Sequence, residues 1–172
     1  MGGEGRQMQS EFDNVKFRQV LGNYPTGVCA VTAVNDGQPA AMVVGSFTSV
    51  SLDPPLVGFF PDRSSTSWPK IEAAGRFCVN MLGAHQLDLC RVLASKSPDK
   101  FMSVAHRISA NGSPILDGVL GWIDCDLHSV ADAGDHYFVM GMVKTLEAEA
   151  PLHPLLFFRG GYGQFGSLTP EA

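Results

Sequence analysis

Charge is scarce in this sequence: Asp, Glu, Lys and Arg make up only 17% of its 172 residues. There is no run of basic residues, and the formal net charge is −5, which excludes an electropositive face for nucleic acid or for an anionic membrane. No apolar stretch reaches the roughly 18 residues that a membrane-spanning helix needs. The segment Met1-Gly2-Gly3-Glu4-Gly5-Arg6 lacks the apolar centre of a secretion signal. The 4 cysteines, Cys29, Cys78, Cys90 and Cys125, form no CxxC pair and sit among apolar neighbours. That argues for reduced, buried thiols in a cytoplasmic protein, not for disulfides or zinc. GxSxG, HExxH and Walker-type motifs are missing, and no Rossmann-type GxGxxG joins a strand to a helix. The 5 histidines, at 85, 106, 128, 136 and 153, show no metal-ligand spacing.

What is present is apolar: hydrophobic residues make up 45% of the chain, ample for one core. The expected organisation is a flexible tail over 1–10, one domain over 11–166 and a short tail over 167–172. The low charge also suits burial of some surface against a second copy. Residues 10–21 read as a helix, with a Ser10/Asp13 capping pattern and a Phe12, Val15, Val20, Leu21 stripe. Strands are expected over 27–34 and 39–50, joined by the turn Asn35-Asp36-Gly37, and over 56–60 after Asp53-Pro54-Pro55. A short helix follows over 67–74, capped by Ser67 and ended by Gly75, then a strand over 77–82 and a helix over 84–94. Residues 95–118 are polar and read as a surface excursion. Residues 119–128 alternate with period two and predict a half-buried strand, paired through Ala133-Gly134-Asp135 with a strand over 136–146. A last strand covers 155–158. No β-α order repeats, so the pattern predicts a mainly β fold: a closed antiparallel barrel carrying short helices.

Two hydroxyl-rich segments stand near strand ends. Ser46-Phe47-Thr48-Ser49-Val50-Ser51 is one. Arg63-Ser64-Ser65-Thr66-Ser67 is the other, and it runs into a helix start, where hydroxyls and free backbone N–H groups can cradle an anion. Arg63 would add a fixed charge to that cradle. A polar loop and an ordinary helix cap account for the same residues. His136 opens a strand where a side chain can face a pocket or solvent. Arg159-Gly160-Gly161-Tyr162 permits close approach of a ligand, or simply a turn. Met140 and Met142 read as core or interface filler.

Several blocks recur in the order and spacing of a known family. They are Pro25-Thr26-Gly27-Val28, the run from Ser46 to Val57, Gly75-Arg76-Phe77-Cys78-Val79-Asn80, Gly134-Asp135-His136, and the run from Leu155 to Tyr162. Together they span roughly residues 14–163 and resemble the flavin reductase-like family, in particular the reductase components of two-component flavin monooxygenases. The resemblance implies a Greek-key, FMN-binding split β-barrel with short flanking helices, usually a homodimer. It implies that Val43, Val44, Gly45 and Ser46 lie along a flavin ring, with Ser49 and Ser51 nearby. It puts Ser65, Thr66 and Ser67 at the flavin phosphate, and adds Asn80, Lys100 and Phe101 as further cofactor contacts. His136 falls on the nicotinamide side, close to Arg159 and Tyr162. Where many relatives carry a Thr-Ala-Asn-Ser run, this chain has Val43-Val44-Gly45-Ser46, so two side-chain hydrogen bonds to flavin give way to backbone contacts.

The implied activity is hydride transfer from NADH, or NADPH, to FMN or FAD, with reduced flavin passing to a separate oxygenase. Such a reaction needs positioning and electrostatics but no catalytic triad, because the cofactors carry the chemistry. The absence of a basic cluster for a 2′-phosphate favours NADH. The alternative is a barrel that binds flavin tightly as an electron carrier, or one that binds no cofactor at all.

Overall fold

The computed structural model describes residues 13–149 and 152–169. Helix α1 (Asn14–Leu21) starts later than the stripe predicts. The Asp13 carboxylate accepts from the backbone N–H of Val15 at 2.9 Å and of Lys16 at 3.0 Å, and so caps the helix itself. Ser10 and Phe12 lie outside the described residues. Strands β2 (Cys29–Asn35) and β3 (Gln38–Val44) form the expected hairpin. Its two-residue turn, Asp36-Gly37, has φ of 49° and 74°, the left-handed pair that an Asp-Gly sequence favours.

The strand expected over 39–50 is broken in two. After β3 the chain turns through residues 45–47 and resumes as β4 (Thr48–Leu52), paired with β5 (Pro55–Phe59). Next come α2 (Trp68–Ala74), β6 (Arg76–Met81), a 3-10 turn at Ala84–Gln86 and α3 (Leu87–Ala94). The two long strands are β9 (Gly121–Ala133) and β10 (His136–Ala148). The main antiparallel sheet has the order β3-β2-β6-β9-β10-β5-β4. Thus β3 and β4 are its two edges, yet only three residues separate them in sequence. Extended chain spans at most about 3.5 Å per residue, so these edges approach within roughly 14 Å and the sheet must curl. Ser46 Oγ accepts from Phe60 N at 3.0 Å, tying the loop after β3 to the chain leaving β5.

Successive residues of β2 feed two clusters, as strand geometry requires. Val31 joins Phe59, Trp68, Ile71, Phe77 and Val139 beneath α2, where Phe59 meets Trp68 and Phe77 edge to face. Ala30 joins Leu82, Leu93, Leu116 and Leu155 beneath α3. The polar stretch 95–118 is not a surface excursion. It holds β7 (His106–Ile108) paired with β8 (Pro114–Leu116), and it buries Phe101, Val104, Ile115 and Leu116. Four of its apolar residues are buried while Met102 and Ile108 are exposed, a split that composition alone conceals. A second small sheet, β1-β11-β12, joins β1 (Thr26–Gly27), β11 (Leu155–Phe158) and β12 (Gly161–Gln164). Only Arg159 and Gly160 make its turn, with φ of 49° and 79°.

Two features of β9 and β10 carry expected outcomes. Gly141 packs on Phe77: an added Cβ would sit 2.5 Å from Phe77 Cζ and 2.9 Å from Cys125 Cβ. Both neighbours are fully buried, so Gly141→Ala overpacks the core and lowers stability by about 1–3 kcal/mol, measurable by thermal unfolding. Asp124 breaks the alternation of β9, because the even face expected in solvent is covered there and the residue is fully buried. Its Oδ2 accepts from Asn111 N at 3.3 Å, while Oδ1 has no partner among the described residues. Burial pushes the carboxyl above the usual aspartate range. The folded state therefore holds this proton more tightly than the unfolded state, and stability falls as pH rises through the ordinary carboxylate range. Asp124→Asn raises the melting temperature at about pH 7, and the gain disappears near pH 3, where both states are protonated.

All four cysteines are free and buried, as expected. Burial pushes the thiols of Cys29 and Cys125 up to about 12 and raises that of Cys78 as well.

Candidate functional site

A cleft of about 550 Å³ opens between the end of β3, the loop before α2 and the end of α3. Nine of the fifteen residues expected at the site line it: Val43, Val44, Gly45, Ser46, Ser65, Thr66, Ser67, Lys100 and His136. They arrive from four separate parts of the chain. The β3 end contributes a wall of main chain and aliphatic surface. Ser46 spends its hydroxyl on Phe60, as described above.

The hydroxyl loop is organised differently from the sequence reading. Ser65, not Ser67, caps α2: its Oγ accepts from Ser67 N at 3.3 Å and from Trp68 N at 3.2 Å. Ser67 instead accepts from Lys100 Nζ at 3.3 Å. Lys100 Nζ also donates to Ala41 O at 2.7 Å and to Leu93 O at 2.9 Å, joining β3 to the end of α3. Burial lowers the pKa of this ammonium, and the neighbouring Lys70 lowers it further. Arg63 does not reach the cradle. Its Nε donates to Gly134 O at 2.8 Å, its guanidinium pairs with Asp132, and it lies 4.5 Å over the Tyr137 ring. The cations that line the cleft are Lys96 and Lys100.

A second cleft, about 620 Å³, lies on the other side of His136. Residues of α1 form one wall, including Phe17 and Arg18, and Tyr24, Phe157 and Arg159 complete it. Asp62 and His136 line both clefts. His136 Nδ1 sits 2.8 Å from Asp135 Oδ1. That contact and the imidazole's charge hold the Asp135 carboxyl below its usual range. Asp62 is lowered too, chiefly by hydrogen bonds from Ser64. Arg159 Nε donates to Asn23 Oδ1 at 2.9 Å, and Asn23 Nδ2 in turn donates to Gln19 O at 2.8 Å, which fixes α1 as a wall.

The other expected residues stand apart from the first cleft. Ser49 and Ser51 lie on the edge strand β4. Phe101 is buried in the cluster under α3. Asn80 is fully buried: its Nδ2 donates to Thr32 Oγ1 at 3.0 Å and its Oδ1 accepts from Leu116 N at 2.8 Å, so it ties β8 to the main sheet. Tyr162 lines an apolar groove on the small sheet, with its hydroxyl 3.7 Å from Cys90 Sγ. Asp62, Lys96 and Arg18 escaped the sequence reading. Lys96 follows the end of a helix, in a stretch that read as surface. Asp62 directly precedes the hydroxyl run, and that position was its only signal.

The residues present fit a flavin mononucleotide unit. The volume lies within the range of small-molecule sites. Main chain and aliphatic side chains at the end of β3 line the same cleft as hydroxyls and an ammonium, groups that suit a phosphate.

Comparison with known proteins agrees. The chain is 61% identical over 162 residues to a flavin reductase of Pseudomonas putida, covering 94% of this chain and 95% of that one. It is 47% identical over 158 residues to the reductase subunit HsaB of a flavin-dependent monooxygenase of Mycobacterium tuberculosis, covering 90% and 84%. Among solved structures, the NADH:FAD oxidoreductase SgcE6 of Streptomyces globisporus, in complex with NAD and FAD fragments, superposes with a TM-score of 0.85 at 32% identity, covering 92% and 96%. A family model for the flavin reductase like domain matches residues 21–166. The chain belongs to the flavin reductase-like family.

Proposed function

We propose that this protein is an NADH-dependent flavin reductase that delivers reduced flavin to a separate monooxygenase. The observation that carries the reading is the pair of clefts that share His136 and Asp62 as a common wall. A reaction between two bound rings needs two adjoining sites, and holding both in place supplies much of the rate. A flavin held in the first cleft would supply the chemistry, as acceptor of a hydride from a nicotinamide in the second.

The first cleft holds the flavin. Main chain of Val43, Val44 and Gly45 backs the ring, and backbone N–H groups stabilise charge arriving there. Ser65, Thr66 and Ser67 meet the phosphate, with Lys100 supplying the positive charge behind them. The second cleft holds the nicotinamide nucleotide. His136 orients it through the ring nitrogen not engaged by Asp135, and transfers no proton. Arg159 acts there by fixing α1. Both FMN and FAD suit the first cleft, which Lys96 also lines. The relatives named as flavin reductase and monooxygenase reductase subunit support the supply role.

The curl of the main sheet and the Ser46 to Phe60 tie support closure into a split barrel over residues 11–166. Exposed Val15, Val20, Leu21 and Tyr24 on and after α1, with Leu52 and Met102, support a homodimer. Steady-state oxidation of NADH and NADPH against FMN, FAD and riboflavin tests the activity. Oxidation that scales with free flavin is expected. Bound flavin without NADH oxidation would mark an electron carrier instead. Sedimentation at the mass of one copy would end the dimer.

A further inference from the structure

His136 is fixed by more than its own strand. The loop before α2 docks on the β9–β10 turn through a ladder of contacts. Tyr137 N donates to Pro61 O at 3.0 Å, Asp62 and His136 form an isolated antiparallel bridge, and Arg63 N donates to Asp135 O at 3.0 Å. Arg63 then closes the ladder with its side chain. Nε donates to the carbonyl of Gly134, a residue at φ 70° where an added Cβ would meet no atom of the described residues within 4 Å. The guanidinium pairs with Asp132 and stacks over Tyr137, so it grips the residues on either side of the turn. A two-residue turn at the end of a long hairpin has little packing of its own, and among the described residues Arg63 is the charged side chain of this loop that hydrogen-bonds across to it.

We propose that Arg63 is a positioning residue for the reaction. It clamps the turn that carries His136 to the loop that carries Ser65, Thr66 and Ser67, so the wall common to both clefts keeps one geometry. The fork of the guanidinium suits this, since one cation reaches a carbonyl, a carboxylate and a ring face at once. Lysine, a single point charge, cannot do the same. The inference rests on the reading of His136 given above.

A double-mutant cycle tests it, with steady-state kinetics and FMN affinity measured for each variant. Arg63→Met is expected to raise the NADH KM roughly tenfold, as loss of charged hydrogen bonds at a positioning group does, with the FMN Kd within about twofold of wild type. Arg63→Lys recovers part of the loss. In a His136→Ala background, Arg63→Met adds little, because its effect passes through the imidazole. A merely structural residue would give additive losses and would weaken FMN binding as well, and either result overturns the proposal. So does a wild-type NADH KM in Arg63→Met while His136→Ala is impaired. A silent His136→Ala overturns this proposal and the His136 reading together. Should Arg63→Met not fold, Asp132→Asn decides: Asp132 is exposed and only steadies the guanidinium from outside. A raised NADH KM with unchanged FMN Kd supports the clamp, and wild-type kinetics overturn it.

Discussion

His136→Ala lowers kcat/KM for NADH by about 10- to 100-fold and leaves the FMN Kd within about twofold of wild type. The asymmetry follows from position. His136 lines both clefts, whereas Ser65, Thr66, Ser67 and Lys100 line only the first. The Asp135 carboxylate holds one ring nitrogen, so the other is left to orient the nicotinamide nucleotide. An orienting hydrogen bond can be restored by a group that does not titrate. His136→Asn therefore recovers part of the lost kcat/KM, which a proton-transfer role would not permit. The side chain is half-buried and packs in no core cluster, so the melting temperature stays within a few degrees. An alanine variant with wild-type rate and NADH KM would remove His136 from the mechanism.

Lys100→Met is expected to weaken flavin binding and the fold together. The ammonium donates to Ala41 O, Leu93 O and Ser67 Oγ, and so joins β3, the end of α3 and the loop before α2. Methionine fills a similar volume but leaves these acceptors without their donor. Hydrogen bonds to a charged group contribute about 1.5–3 kcal/mol, which in binding is roughly 10- to 100-fold in flavin Kd. Fluorescence titration with FMN measures the first effect and thermal unfolding the second. A further signature comes from pH. Burial makes Lys100 give up its proton at lower pH than an ordinary lysine. Flavin affinity of the wild type therefore falls on the alkaline side, before free lysines titrate, and Lys100→Met shows no such fall. Equal alkaline loss in both proteins would take the phosphate contact away from Lys100.

Much of the fold could be read where local chemistry decides it. Asp36-Gly37 allowed one tight turn, and Gly75 ended a helix at positive φ. Elsewhere distant partners decide. The strand over 39–50 breaks because its two halves belong to opposite edges of one sheet, and the local signal between Val44 and Thr48 is a single glycine, Gly45. Residues 95–118 looked like loop because four buried apolar residues are scattered among polar ones. The site was legible in its blocks and less so in its charges. Arg63 sits beside four hydroxyl residues in sequence, yet its guanidinium finds the Gly134 carbonyl and Asp132 across the hairpin. Lys100 lies over thirty positions from Ser67 and still supplies the cation there. Asn80 falls within a family block, and its amide is wholly occupied in joining β2, β6 and β8.

The buried thiols bear on the conditions in which such an enzyme works. Reduced flavin released into aerated solution reacts with dioxygen and yields hydrogen peroxide, so the protein that makes it is the first macromolecule the oxidant meets. Peroxide attacks the thiolate, and oxidation to sulfenic acid tracks thiolate content and exposure. Here all four cysteines are enclosed, and burial raises their thiols far above neutral pH. The same packing that completes the sheet interior thus gives the chain tolerance to the by-product of its own chemistry.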